Sequence, residues 1–231
     1  MDNPDYKYYE LLKNEIRTVG MSMCVPDDEL ITLVLSRCEL LKFPKNYRIV
    51  DEGDTDNSLY ILKSGISRVS YQEEDREITL GIASEPTISI SPLGFVLKSK
   101  AHYMVTACTN VEVYRLGKKD FDSLILESPE FARWMLGVAL VQIAMFEYKS
   151  KNLVGSTKDK YQSLRNREYI KKWGSFSDGN VPDIAREVND RVIASFLDVH
   201  PAYLSTIKRE LIEEERNKNR DNITSGSKGE A

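Results

Sequence analysis

The strongest constraint on this chain is a change of hydrophobic period. Up to about residue 40 the apolar side chains recur three and four positions apart, as they do on one face of a helix. From Phe43 the stretch FPKNYRIVDEGDTDNSLYILKSGISRVSYQEEDREITLGI breaks into short runs rich in Ile, Val and Tyr, separated by Glu-Gly-Asp, Lys-Ser-Gly and Glu-Glu-Asp. Runs of roughly five residues between turn formers predict an antiparallel all-β unit. The later stretch YMVTACTNVEVYRLG reads as two more strands folding back around Thr109-Asn110, so the β region spans about Leu41 to Leu116. Gly53 and Gly65 fall at turns that call for positive φ. At Gly117-Lys-Lys-Asp-Phe the helical period returns, which makes the chain α+β.

Two helices are expected ahead of the β unit. Tyr6, Tyr9, Leu12 and Ile16 share one helical face, and Pro26 opens PDDELITLVLSRCELL. There Asp27, Asp28 and Glu29 suit the positive end of the helix dipole, and Leu30, Leu33, Val34 and Leu41 form the buried side. Behind the β unit, Ser128-Pro129-Glu130 is a helix start with proline at the first position. Phe131, Trp134, Val138, Val141, Met145 and Tyr148 then follow a 3-4-3-4-3 spacing, a heptad seam. Leu136, Leu140 and Ile143 make a second apolar flank. A helix apolar around so much of its circumference needs two partners. The Phe131–Tyr148 seam is assigned to a homodimer; the alternative is a helix buried within one monomer.

Composition narrows the function classes. With 41% hydrophobic and 29% charged residues and a net charge of −4, the chain is an ordinary globular protein with a real core. The apolar run Trp134–Phe146 is interrupted by Gln142 and falls short of the about 20 residues that span a bilayer. The N-terminal MDNPDYKYYELLKNE has neither the basic start nor the apolar stretch of a secretion signal. Cys24, Cys38 and Cys108 are odd in number and dispersed, and His102 and His200 are the only histidines. No disulfide framework, iron–sulfur cluster or zinc site is expected, nor membrane association, and the expected location is cytoplasmic. There is no GxxxxGK[ST] loop and no triad motif, and Glu73-Glu74 reads as a turn, so the chain is not expected to be an enzyme.

The most specific segment runs from Asn189 to Leu211. Asn189 or Asp190 can cap a short helix that buries Val192, Ile193 and Leu197. Ala194 is small where a second helix must cross, Asp198 tolerates the left-handed turn and Val199 plugs the corner. A second helix begins near Pro201 with Leu204, Ile207 and Leu211 inward. Two short helices joined this way form a helix-turn-helix. Residues 158–220 carry 13 Lys+Arg and 11 Asp+Glu, a net of +2 that leaves −6 on the remainder. That is the sign a phosphate contact needs, although Glu213-Glu214-Glu215 opposes it locally.

In this order, Asp51-Glu52-Gly53-Asp54, Leu59-Tyr60-Ile61-Leu62-Lys63-Ser64-Gly65, Ile193-Ala194, Leu197-Asp198-Val199 and Leu204-Ser205 make the chain resemble the Crp/Fnr family of bacterial transcription regulators, from about Leu40 to Leu211. The resemblance implies an N-terminal antiparallel β-roll of the cyclic-nucleotide-binding type (a double-stranded β-helix) with flanking helices, a long dimerisation helix and a C-terminal helix-turn-helix. The divisions read from the sequence are 1–127 for the sensor, 128–155 for the dimer helix and a hinge at Asn152–Thr157, 156–216 for the DNA-binding part, and 217–231 for a disordered tail. The implied function is sequence-specific binding of double-stranded DNA, two recognition helices entering successive major grooves, with RNA polymerase as a further partner. Tyr203, Ser205, Thr206, Lys208 and Arg209 are the candidate DNA contacts.

The departures from the family carry information as well. Relatives that bind cyclic AMP hold its ribose with a Gly-Glu pair and its phosphate with Arg-Ser/Thr. Here the stretch from Glu85 to Tyr103 has no Gly-Glu, and Ala101-His102 stands at the arginine position. Lys98, Lys100, His102 and Tyr103 are the candidate effector-pocket residues, but none supplies the planar guanidinium fork. Cyclic AMP is therefore not expected as a cofactor, and another small-molecule effector stays open. On the recognition helix, Pro201, Ala202 and Thr206 stand where relatives place base-reading Arg, Glu and Arg. The rival reading is a signalling or interaction module that binds a small molecule or protein through the β-roll without touching DNA.

Overall fold

The computed structural model describes residues 27–55, 58–84, 87–90, 95, 99–152, 155–165 and 183–226. The helix expected over Tyr6–Ile16 lies outside these residues. The first described element, α1 (Asp28–Ser36), is capped by Asp27, whose carboxylate accepts from the Leu30 N–H at 2.8 Å. It buries Leu30, Ile31 and Val34. Leu41, expected on that face, instead belongs to a strand and is half-buried. The helix stops at Arg37, so it never reaches the turn that would carry Leu41.

Eight strands follow among the described residues: β1 (Glu39–Phe43), β2 (Arg48–Val50), β3 (Ser58–Ser64), β4 (Ile66–Glu73), β5 (Arg76–Ser84), β6 (Thr87–Ile90), β7 (Met104–Ala107) and β8 (Val111–Gly117). They form two four-stranded sheets, β1-β8-β3-β6 and β2-β7-β4-β5, with the described pairings antiparallel. This is the β-roll, and its bounds agree with the period change in the sequence. Gly53 and Gly65 both adopt positive φ, +89° and +91°. Gly65 is doubly constrained, because a Cβ there would lie 2.4 Å from the Asn110 carbonyl oxygen. Only glycine lets β3 turn into β4 against the β7–β8 corner. Val50, Tyr60, Leu62, Val105, Ala107 and Val113 pack together between the sheets.

Six helices follow or close the roll among the described residues after β8: α2 (Lys118–Glu127), α3 (Pro129–Asn152), α4 (Thr157–Arg165), α5 (Ile184–Glu187), α6 (Asp190–Leu197) and α7 (Pro201–Gly226). The start of α3 is set as the sequence predicts, with the Ser128 hydroxyl accepting from the Phe131 N–H at 3.1 Å. Its first two turns correct the assigned dimer seam. Phe131 and Trp134 are each 1% exposed and Val138 packs against the same core. Phe121 meets Phe95 and Phe131 edge to face, and Phe131 meets Trp134 in turn. These aromatic rings seal α2 and α3 onto the roll, so they cannot face a second subunit. The side chains of Val141, Met145 and Tyr148 lie outside the described residues. The flank that stays open is the other one, with Leu136 49% and Ile143 56% exposed.

Candidate nucleic-acid interface

The helix-turn-helix forms for local reasons. Asn189 caps α6, its side chain accepting from the Arg191 N–H at 2.8 Å. Asp198 ends α6 in the left-handed region, with φ 56° and ψ 51°. The Val199 N–H then returns to the Ala194 carbonyl at 3.0 Å, closing the corner. His200 opens α7 by accepting the Ala202 N–H on Nδ1 at 3.2 Å. Ile193, Ala194, Leu197, Leu204, Ile207 and Leu211 are all buried, and Tyr161 and Leu164 of α4 with Ile184 of α5 complete the core.

The outer edge of α7 faces solvent. Tyr203 is 54% exposed, and Ser205 and Arg209 are exposed beside it. The Ser205 and Thr206 hydroxyls donate back to the carbonyls of Pro201 (3.1 Å) and Ala202 (3.3 Å). A phosphate would meet them as donors only after those bonds are exchanged. Lys208 is differently employed. Its ammonium pairs with Asp190 of α6 and lies 5.6 Å from the centre of the Tyr161 ring. It ties α4, α6 and α7 together, so the cation most available to a phosphate is Arg209. Replacing Lys208 by Glu would set a carboxylate against Asp190 and perturb the fold as well as any DNA contact.

An open cleft of about 400 Å³ runs along this edge, lined by Asp190, Ser205, Lys208, Arg209, Ile212, Glu213 and Arg216. Arg216 was not singled out from the sequence, although Ser205, Arg209, Ile212 and Arg216 follow a 4-3-4 spacing that places them on one stripe. The acidic run after Leu211 divides. Glu214 pairs with Lys158, and Glu215 takes both guanidinium nitrogens of Arg165 at 2.6 and 3.2 Å. The bond to Arg165 holds the Glu215 carboxyl below the ordinary carboxylate range and pushes the Arg165 pKa up. Two of the three acids are thus spent against α4, and Glu213 alone borders the cleft. Helix α7 continues to Gly226 through residues that composition places in a tail.

Three of the four sensor candidates are described. Lys98 lies outside the described residues, and Lys100 and His102 are exposed. Ala101 between them is buried, its N–H donating to the Asp54 carbonyl and its carbonyl accepting from the Gly53 N–H, both at 2.8 Å. Tyr103 meets Tyr71 edge to face at 6.3 Å. Burial pushes the Cys38 thiol up to about 12 and the Cys108 thiol up to about 11, which leaves both unreactive in place. Among the described residues, no group of three His, Cys, Asp or Glu could hold a metal ion, and no helix is long and apolar enough to cross a membrane.

A β-roll joined through a long helix to a helix-turn-helix makes a two-part architecture. Residues 40–128 match the cyclic nucleotide-binding domain family. No curated protein is a detectable relative in sequence. Among solved structures, the chain is similar to the c-di-GMP-responsive global regulator CLP of Xanthomonas campestris, with 17% identity, a TM-score of 0.61, and 82% of this chain and 93% of that one covered. It is similar to FixK2 of Bradyrhizobium japonicum, with 12% identity, a TM-score of 0.63 and coverage of 77% and 86%. A CooA mutant from Carboxydothermus hydrogenoformans matches with 19% identity, a TM-score of 0.55 and coverage of 78% and 79%. The resemblance read from the sequence holds: this chain is of the Crp/Fnr type in fold.

Proposed function

We propose that the protein is a homodimeric, cytoplasmic, sequence-specific DNA-binding transcription regulator. The observation that carries this reading is the outer edge of α7, which stands free of the other described residues with Tyr203, Ser205 and Arg209 at the surface and Arg216 further along the same stripe. Arg209 and Arg216 neutralise phosphates, and Tyr203 stacks or hydrogen-bonds at the groove edge. Dimerisation uses the Leu136–Ile143 flank of α3 and delivers two recognition helices about one DNA turn apart. The rival interaction module leaves a complete helix-turn-helix with a bare outer edge unexplained. RNA polymerase remains a candidate partner of the DNA-bound dimer.

The effector reading is narrower. We propose that the roll does not take cyclic AMP in the manner of the family's cyclic-AMP-binding members, because Ala101 turns inward and His102 outward where a guanidinium fork is needed. Another effector would act by biasing the joint between α3, ending at Asn152, and α4, beginning at Thr157.

Fluorescence anisotropy with random-sequence duplex at two salt concentrations tests the DNA reading. The native chain is expected to bind with a steep inverse dependence on salt. Arg209→Glu should weaken binding by about tenfold or more and flatten the slope by about one unit per lost phosphate contact. Equal affinity and slope in the two proteins would contradict the assignment.

A further inference from the structure

The hydroxyl of Ser195 takes no part in the helix-turn-helix that carries it. It accepts the N–H of Thr79 and donates to the carbonyl of Glu77, both at 2.8 Å. Strand β5 is the edge of its sheet, so these are backbone groups that the β4 ladder leaves open. One side chain of α6 therefore closes the exposed rim of the sensor.

The surroundings of this bridge are mixed in character. Ile66 and Cys108 of the roll join the buried cluster of the helix-turn-helix, with Ile82 packed against it. Next to that apolar contact lies a polar layer. Arg68 pairs with Glu77 at 2.7 Å, and the Ser70 hydroxyl donates to the same carboxylate at 2.6 Å. Thr79 Oγ1 and Thr106 Oγ1 are buried with no hydrogen-bond partner among the described residues. Water would satisfy both on separation, as it would the Thr79 N–H and the Glu77 carbonyl. The helix-turn-helix keeps its own core of Leu204, Ile207 and Leu211 without this contact. The joint thus has enough apolar contact to form and enough polar surface to reopen, as interfaces between mobile domains do.

We infer that Ser195 is a latch: it holds the helix-turn-helix against the β5 edge, and the DNA-binding unit leaves the sensor by releasing it. The regulatory consequence rests on the DNA-binding reading above, since duplex bound to α7 and contact with β5 then bias the same joint and must influence each other reciprocally.

Hydrogen exchange by mass spectrometry on the full chain tests the latch. Ser195→Ala removes both bonds while improving helix propensity, so α6 is not weakened. Loss of two hydrogen bonds should speed exchange of peptides containing Thr79 by about tenfold, with β3 peptides unchanged. Alkylation of Cys108 should accelerate in parallel, and Ser195→Thr, which keeps the hydroxyl, should stay near the native protein. Identical exchange and alkylation in Ser195→Ala and native protein would overturn the latch. Adding saturating random-sequence duplex to the native chain should change Thr79 exchange several-fold, and the change should vanish in Ser195→Ala. Bound duplex that leaves the exchange unaltered overturns the coupling. Failure to bind duplex at all refutes the DNA reading instead, and the comparison without DNA still decides the latch.

Discussion

The two apolar flanks of α3 have similar credentials in the sequence and opposite fates in the molecule. One carries Phe131 and Trp134, each 1% exposed and locked edge to face with Phe121. The other carries Leu136 and Ile143, each about half exposed. Periodicity reports that a helix has two apolar faces. It does not report which face the chain's own domain occupies, because that depends on partners distant in sequence. The larger, aromatic flank fills the intramolecular core here, where edge-to-face packing and extensive burial reward it most. The aliphatic flank is left exposed, and it is the face proposed for a second subunit.

The largest expected effect lies on the inner flank. Trp134→Ala should lower unfolding stability by about 3–5 kcal/mol, read by chemical denaturation, because the cavity opens inside the aromatic cluster. On the outer flank, the double substitution Leu136→Glu and Ile143→Glu should convert dimer to monomer in sedimentation while the circular dichroism spectrum is retained. Unfolding of that variant, or a dimer that persists, would break the distinction between the two faces. A second pair of sites sharpens the same lesson within the roll. Gly65→Ala should cost about 2 kcal/mol or more, since it adds a backbone clash to the left-handed strain. Gly53→Ala should cost about 1 kcal/mol, because its φ is unfavourable but the space around it is open.

The smallest effect concerns pH. The Glu215 carboxyl titrates below its unfolded value, so its bond to Arg165 contributes stability above the ordinary carboxylate pKa of about 4.3 and loses it as pH falls through the folded value. A small difference in Tm between the native protein and Glu215→Gln should be present at neutral pH and absent in strong acid.

What could be read from the sequence follows from how local each cause is. The strands, the two glycine turns and the helix-turn-helix were legible because their determinants lie within a few residues of one another. Asn189 capping α6, Asp198 in the left-handed corner and the Leu204–Ile207–Leu211 face are all of this kind. The misread features depend on groups brought together by folding. Lys208 looks like a free phosphate ligand until Asp190 and Tyr161 are placed beside it. The Glu213–Glu215 run looks repulsive until Lys158 and Arg165 take up two of its three charges. Leu41 looks helical until Arg37 ends α1. Ser195 gave no signal at all, because its partners are main-chain atoms more than a hundred positions away.

The central claim is that the outer edge of α7 meets duplex phosphates and that a symmetric partner presents it twice. Hydroxyl-radical footprinting of a fragment selected from genomic DNA tests this most directly. The account predicts two protected patches about 10 base pairs apart on one face of the duplex, both lost together in Arg209→Glu. A single patch, no protection, or a footprint indifferent to Arg209 would contradict it.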